Sequence, residues 1–297
     1  MRKKTLAFLV LIIAIAIGIF TCWKFYFPHY SSIPVIFNSA KIPLIRTTIQ
    51  GEEHFLEMDL GSKFQISLHP DILAKLTKEP EGVLTGKDMN GNSYSSNAFL
   101  LKRVLVGSRQ FNDVVVKEIS KEFISNTTIF VNKARSENKK ICVSGSIGRP
   151  LLTKTNLLLD FPNSKIHFCD DPNLLKKTGF NIENWSEADF EIGRTGVVIK
   201  VETDLGQIRL SLDTGTTLTM LRESSYSIDP PTGQAYGLPY FTSSKFHIGT
   251  KDFGNVSIYF YKITPEVQET DGILGMDFLQ SHPVYLDYRS QKIYIGN

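Results

Sequence analysis

An internal repeat constrains the fold of this chain more than any other feature of its sequence. Residues 145–168 align without gaps with residues 272–295, and seven of the 24 aligned positions are identical. A second ungapped match joins residues 104–116 to residues 246–258. Matches that recur in the same order along a chain indicate repeated structural units. We therefore predict two lobes of the same architecture.

The third match in the repeat is an Asp-x-Gly turn that follows an apolar strand. It occupies Asp59–Ser62 in the first half and Asp213–Thr216 in the second. Alternating apolar residues before each Asp indicate a strand with one buried face, and Gly permits close backbone approach. Backbone amides and a hydroxyl can then hydrogen-bond the carboxylate. The predicted catalytic residues are Asp59 and Asp213, and their supporting residues are Gly61, Ser62, Thr214, Gly215 and Thr216.

The same turn pattern also has an ordinary explanation, because Asp and Gly are among the commonest turn residues. Asp204–Gln207 repeats the three-residue pattern, but it lacks both the preceding apolar strand and the hydroxyl after Gly. We predict that it is a simple hairpin turn.

Two carboxyl groups brought together by a repeat have a distinctive chemistry. Repulsion between like charges raises the pKa of one of them, so the pair holds a single proton over a range of pH. The ionised member can take a proton from a bridging water, and the protonated member can polarise a carbonyl or donate to a leaving group.

These segments resemble the pepsin-like and retropepsin-like aspartic proteases. Asp213–Thr216 matches the catalytic turn of the family, Ile273–Gly275 resembles its apolar-apolar-Gly segment, and Ile147–Leu152 is similar to the retroviral sequence. The resemblance covers roughly residues 35–297. It implies an all-β fold of two homologous β-barrel-like lobes, with the two Asp facing each other in a central cleft. It also implies hydrolysis of a peptide or protein substrate with no cofactor, no metal and no covalent intermediate.

Leu60 departs from the family, which has Thr or Ser directly after the first Asp. In the family this hydroxyl joins a hydrogen-bond lattice that bridges the lobes. Three hypotheses therefore stay open: an active endopeptidase, a catalytically inactive peptide- or protein-binding module, and a structural envelope protein with an unrelated β fold. The last would leave the two carboxyl groups far apart.

A substrate flap is predicted in the first half. The dipeptide Asn90-Gly91 is the strongest short hairpin signal, and Tyr94 lies where it can close over a substrate. The alternative is a surface hairpin with an exposed Tyr. The corresponding part of the second half contains Pro230, Pro231 and Pro239, which predicts a stiffer loop.

The N-terminal segment predicts a membrane anchor. Leu6 to Trp23 is an uncharged run of 18 residues, close to the roughly 20 that span a bilayer. Basic residues at positions 2–4 favour a cytoplasmic N-terminus, with the lobes on the extracytoplasmic side. Secretion after signal cleavage is the alternative. The predicted organisation is an anchor or signal at 1–28, lobe one at 29–175, a linker at 176–189 and lobe two at 190–297.

Charge and composition exclude other classes of function. The formal net charge of the 297 residues is +3 with both signs interspersed, which gives no electrostatic basis for nucleic-acid binding. The six His lack the spacing of metal ligands. Three Cys are too few for a disulfide scaffold, and Cys142 and Cys169 are either a pair or two free thiols.

Overall fold

The computed structural model describes residues 30–87, 93–119, 143–223, 232–262 and 269–297. Strands dominate both halves, as alternating apolar and polar residues require. The strands of the first half are β1 (Tyr30–Phe37), β2 (Pro43–Ile49), β3 (Glu52–Asp59), β4 (Ile66–Leu68), β5 (Glu79–Lys87), β6 (Ser93–Val106), β7 (Arg109–Glu118), β8 (Val143–Gly148), β9 (Leu157–Asp160) and β10 (Lys165–Cys169).

The second half repeats this layout and ends in a strand hairpin. Its strands are β11 (Ser186–Gly193), β12 (Gly196–Thr203), β13 (Gly206–Leu212), β14 (Met220–Arg222), β15 (Gly233–Ala235), β16 (Leu238–Ser243), β17 (Phe246–Ile248), β18 (Lys251–Asp252), β19 (Val256–Tyr261), β20 (Gly272–Leu274), β21 (Val284–Asp287) and β22 (Lys292–Ile295). The described helices are short: α1 (Pro70–Leu73), α2 (Arg149–Leu152), α3 (Pro172–Lys177) and α4 (Met276–Leu279), with 3₁₀ turns at Phe161–Asn163 and Ile182–Asn184.

The repeated segments form the same parallel strand pair in each half. Strand β3 pairs with β8 with Leu56 opposite Gly145, and β13 pairs with β20 with Leu210 opposite Gly272. These are equivalent positions in the sequence repeat, so the register is conserved as well as the pairing. In each half a third strand, β4 or β14, lies antiparallel on the other side of the Gly-containing strand. Each predicted Asp therefore lies at the end of an interior strand.

The halves are joined by a sheet of six strands in the order β1, β10, β9, β21, β22, β11. At its centre β9 pairs antiparallel with β21, and Leu158 lies opposite Tyr285. These two residues are equivalent in the repeat, so a pseudo-twofold axis passes between them. Tyr285 is fully buried, and its hydroxyl donates to the carbonyl of Cys169 at 3.1 Å. Main-chain hydrogen bonds thus link the two lobes directly.

The all-β prediction is confirmed, and two local predictions have different outcomes. Asp204 and Leu205 form the turn between β12 and β13, as predicted for a hairpin. The stiffer loop predicted for the second half stays a prediction, because Pro230 and Pro231 lie outside the described residues; Pro239 lies in β16, which forms a hairpin with β15. Its turn residues Tyr236 and Gly237 have φ of 57° and 77°, which is typical of the type I′ turns that favour hairpins.

Several predictions fall on residues outside the described ranges. The membrane segment at 6–23, the flap residues Asn90 and Gly91, and Cys142 all lie there. Within the described ranges, no helix has both the length and the apolarity needed to cross a bilayer. Cys169 is a buried free thiol. The stretch 176–189, predicted as a linker, contains the end of α3, a 3₁₀ turn and the beginning of β11.

Candidate active site

Asp59 ends strand β3 and is held by its own turn. The Ser62 amide donates to Asp59 Oδ1 at 2.8 Å and to the Asp59 carbonyl at 3.2 Å. Asp59 lies opposite Gly148 in the β3–β8 pair, so the strand end is fixed from both sides. The side chain is consequently held at the boundary between the lobes.

Asp213 follows strand β13 and is held by more donors than Asp59. The Gly215 amide donates to Oδ1 at 2.8 Å, and the Thr216 hydroxyl donates to Oδ2 at 2.8 Å. The Asp213 amide donates to the carbonyl of Leu274 at 3.1 Å. Both carboxylate oxygens therefore have a donor from the same turn.

The glycines of the two turns bring the carboxyl groups together. A Cβ at Gly61 would lie 2.6 Å from the carboxyl carbon of Asp213, and a Cβ at Gly215 would lie 2.9 Å from that of Asp59. Each glycine thus makes room for the Asp of the opposite lobe, and the charge of Asp213 acts directly on Asp59. This is the opposite of the remote placement that an unrelated β fold requires. The predicted pair and its supporting glycines meet in one place.

The environment of the pair favours a proton on Asp59. Desolvation raises the pKa of Asp59 well above its usual range, and the adjacent charge and hydrogen bond of Asp213 act in the same direction. The Ser62 amide opposes this shift. The two groups are close enough to titrate as a unit, and in the one-proton state of this unit the proton lies on Asp59.

The raised pKa of Asp59 predicts how Asp59→Asn changes stability with pH. An acid whose pKa is higher in the folded chain contributes stability below its unfolded value of about 3.9, and this contribution is lost as pH rises through the folded value. Asn does not titrate, so the variant is expected to be more stable than the wild type at pH 7. The gain is roughly 1.4 kcal/mol for each unit between the folded and unfolded pKa values.

Urea unfolding at about pH 4 and pH 7 measures this difference. The control is Asp204→Asn, because hydrogen bonds from Ser244 lower the pKa of Asp204, and its contribution is lost as pH falls. That variant is expected to be less stable than the wild type at pH 7. A loss of stability for Asp59→Asn at pH 7 would contradict the assignment.

The Thr214 hydroxyl bridges the two lobes next to the pair. Thr214 Oγ1 donates to the Met58 carbonyl at 2.7 Å and accepts from the Leu60 amide at 3.0 Å. Leu60, the equivalent residue of lobe one, is fully buried in the main apolar cluster. The Leu60 side chain cannot form the equivalent hydrogen bonds to lobe two. Thr214 therefore contacts the opposite lobe through its hydroxyl, whereas Leu60 contributes apolar packing.

Further bonds between the lobes were not predicted from the sequence. Arg149 of lobe one donates to the carbonyls of Gly193 and Arg194 at 3.3 and 3.1 Å. In the opposite direction the Thr217 hydroxyl donates to the Ala40 carbonyl at 2.9 Å. Ala40 and Arg194 are equivalent when the two Asp turns are aligned, so each lobe holds the same turn of the other. Arg149, a charged residue within the mainly apolar segment Ile147–Leu152, was the sequence feature that could have indicated this contact.

Comparison with solved structures identifies the architecture. An aspartic proteinase from Irpex lacteus matches with a TM-score of 0.55 and 13% identity, over 91% of this chain and 97% of that one. A basic 7S globulin from soybean matches at 0.54 and 10%, over 90% and 95%. Conglutin gamma, a basic 7S globulin from lupine seeds, matches at 0.54 and 11%, over 91% and 95%. No protein-family model and no curated protein matches the sequence.

The chain has an acid-protease-like fold. Among the similar structures one is named a proteinase and two are named globulins. The similarity therefore establishes the fold and does not establish catalytic activity.

Each half has a hairpin in which a Tyr of one strand packs across a Gly of the other. Tyr94 lies in β6 opposite Gly86 of β5, and a Cβ at Gly86 would lie 2.6 Å from the Tyr94 hydroxyl. In the second half Tyr240 covers Gly233 in the same way, at 2.8 Å. The Tyr predicted for the flap is therefore on the hairpin arm, packed across its glycine, and it has a counterpart that the sequence did not reveal.

Proposed function

We propose that this chain is an aspartic endopeptidase that hydrolyses peptide bonds with a water activated by Asp59 and Asp213. The observation that carries the proposal is the placement of each carboxyl group, held by its own turn, against the glycine of the opposite turn. Shared protonation of such a pair is the basis of acid-protease chemistry.

The difference between the two Asp environments assigns their roles in the reaction. Asp213, with donors on both oxygens, takes a proton from water as the water oxygen bonds to the substrate carbonyl carbon. Asp59 donates its proton to the carbonyl oxygen, which gives a neutral tetrahedral diol. The proton on Asp213 then passes to the amide nitrogen, the C–N bond breaks, and Asp59 recovers a proton from the diol.

The direct test is cleavage of an unfolded protein between about pH 3 and 7, with and without a pepstatin-type inhibitor. We expect inhibitor-sensitive cleavage that declines toward neutral pH, because the one-proton state of the pair is lost when Asp59 ionises. Absence of inhibitor-sensitive cleavage at every pH would reject the proposal. It would favour the alternative of a binding module on the same scaffold, for which Leu60 is the specific observation.

Leu60→Thr is expected to tighten the contact between the lobes and to raise the cleavage rate. In the repeat Leu60 corresponds to Thr214 and Met58 to Leu212, so the new hydroxyl is expected to bond the Leu212 carbonyl and the Thr214 amide. Each bond contributes about 0.5–1.5 kcal/mol. The matched control is Leu60→Val, which has the shape of Thr without its hydroxyl and loses the same apolar contacts.

The measurements are the thermal midpoint and kcat/KM of the two variants, compared with each other as well as with the wild type. Equal values for Thr and Val would show that the missing hydroxyl is unimportant. Cleavage by the Thr variant alone, with an inactive wild type, would favour the binding module.

We also propose that residues 6–23 anchor the chain in a membrane, with the lobes outside the cytoplasm. The uncharged run and the basic residues before it support this topology, and secretion after signal cleavage is the alternative. Expression of the full chain followed by carbonate extraction and N-terminal sequencing separates the two. An intact N-terminus in the soluble fraction would contradict both.

A further inference from the structure

Lys117 is a half-buried ammonium held between two aromatic rings of lobe one. Its Nζ lies 4.3 Å from the ring centroid of Phe64 and 4.2 Å from that of Tyr94. Among the described residues it forms no ion pair. Burial and the nearby charge of Lys63 lower the pKa of Lys117 to about 8. The ammonium is charged at acidic and neutral pH, and the aromatic rings offset part of its lost hydration.

The position of this cluster places it beside the catalytic pair. The Phe64 amide donates to Ser62 Oγ at 3.3 Å, and Ser62 is the residue that holds Asp59. A Cβ at Gly148 would lie 2.0 Å from the Phe64 carbonyl oxygen, and Gly148 is opposite Asp59. Lys117 therefore lies between Tyr94, on the arm of the predicted flap, and Phe64, which follows the turn of Asp59.

At the equivalent positions of lobe two the aligned side chains are uncharged, although the Asp277 carboxylate is close enough to act electrostatically on Tyr259. The repeat of residues 104–116 and 246–258, extended by one position, aligns Lys117 with Tyr259, and the Asp turns align Phe64 with Leu218. The ring of Tyr259 lies 5.4 Å from that of Tyr240, just as Lys117 contacts Tyr94. Leu218 packs with Tyr240 and Tyr259 in one apolar cluster. The two sides of the cleft share a backbone plan and differ in chemistry.

We propose that the cleft selects substrates with a carboxylate side chain on the lobe-one side and an apolar or aromatic side chain on the lobe-two side, and that Lys117 recognises the carboxylate. The inference rests on the proposed peptidase function. A carboxylate from the substrate would supply the counterion that the described residues lack, in a partly desolvated site where charge-assisted hydrogen bonds are strong. Lys63 adds a second positive charge to the same region. Lys117 is thus a specificity-determining residue.

The test has a binding arm and a cleavage arm. In the first, Asp213→Asn binds peptides that differ only by Glu or Gln at one position, scanned through six positions about a central Phe. In the second, the active chain cleaves the same peptides near pH 6. We expect a Glu over Gln preference of about 10- to 100-fold at one position in both arms. Lys117→Met, which keeps the length of the side chain, is expected to abolish it.

The control is Lys102→Met, which removes an equal charge from an exposed residue paired with Glu79 and Asp113. It is expected to keep the preference. Loss of the preference in Lys102→Met as well would show that net charge is responsible and overturn the proposal. A wild type that cleaves without preferring Glu would overturn it and leave the peptidase function standing. Lys117-dependent binding of Glu peptides without any cleavage would support Lys117 as the carboxylate-recognising residue and reject the peptidase function.

Discussion

Asp213→Asn is expected to lower kcat/KM for peptide hydrolysis by about 10²–10⁴-fold or more, while the chain stays folded. Asn has nearly the same shape, so the turn that Gly215 and Thr216 form around it is retained, but it cannot accept the proton of the attacking water. Asp59→Asn is expected to have a similar effect, because an amide does not supply the proton that the carbonyl oxygen needs. The measurement is kcat/KM with a peptide substrate, together with the thermal midpoint of each variant.

The sequence supplies its own control for this prediction. Asp204 has the same Asp-x-Gly pattern, but it is exposed and bonded to Ser244 at a hairpin turn. Asp204→Asn is expected to retain full activity. If either dyad variant, purified and folded, cleaved peptide at the rate of the wild type, the two-carboxylate mechanism would have to be abandoned.

Gly275→Ala is expected to lower both stability and activity. A Cβ at Gly275 would lie 2.4 Å from the carbonyl carbon and oxygen of Leu218, so backbone must move to admit it. The next residue, Met276, donates to the carbonyl of Thr216 at 2.8 Å, and this bond ties the Gly segment to the turn of Asp213. Overpacking of this kind costs about 1–3 kcal/mol, and a displacement near 1 Å at reacting groups lowers rates by about 10²-fold.

The matched control for the glycine is Gly179→Ala. Gly179 has φ of +101°, and a Cβ there has no neighbour within 4 Å, so the substitution adds backbone strain without a clash. It is expected to cost some stability at unchanged kcat. Unfolding in urea and single-substrate kinetics separate the two effects. A Gly275→Ala variant with wild-type kcat would show that the Gly segment does not position Asp213.

The repeat allowed the positions of the two Asp turns to be predicted, because it consists of residue types with strong local conformational preferences. The Asp-x-Gly turns and the alternation before them indicated where strands β3 and β13 end. The pairing of those strands with β8 and β20 depends on contacts far apart in sequence. The meeting of β9 with β21 is less accessible still, since runs such as Leu157–Leu159 are apolar at every position and carry no register.

The side chains that connect the lobes were harder to foresee for a related reason. Thr214 reaches across to Met58 and Leu60, and no local pattern in either segment encodes such a bond. Lys117 ends a run of three Val, where it has the appearance of an ordinary solvent-facing strand residue. The ungapped match ends at 116 and 258, one position before Lys117 and its counterpart Tyr259. A search for positions at which the two halves differ could have identified Lys117.

The pseudo-twofold axis between Leu158 and Tyr285 has a consequence for the orientation of the proposed polypeptide substrate. In an assembly of two identical subunits every side chain occurs twice, so a bound strand meets the same surroundings in either orientation. Here Phe64 and Lys117 of one half correspond to Leu218 and Tyr259 of the other, because one continuous chain allows its halves to differ. A substrate strand bound between the halves as proposed would then not be equivalent to the same strand reversed.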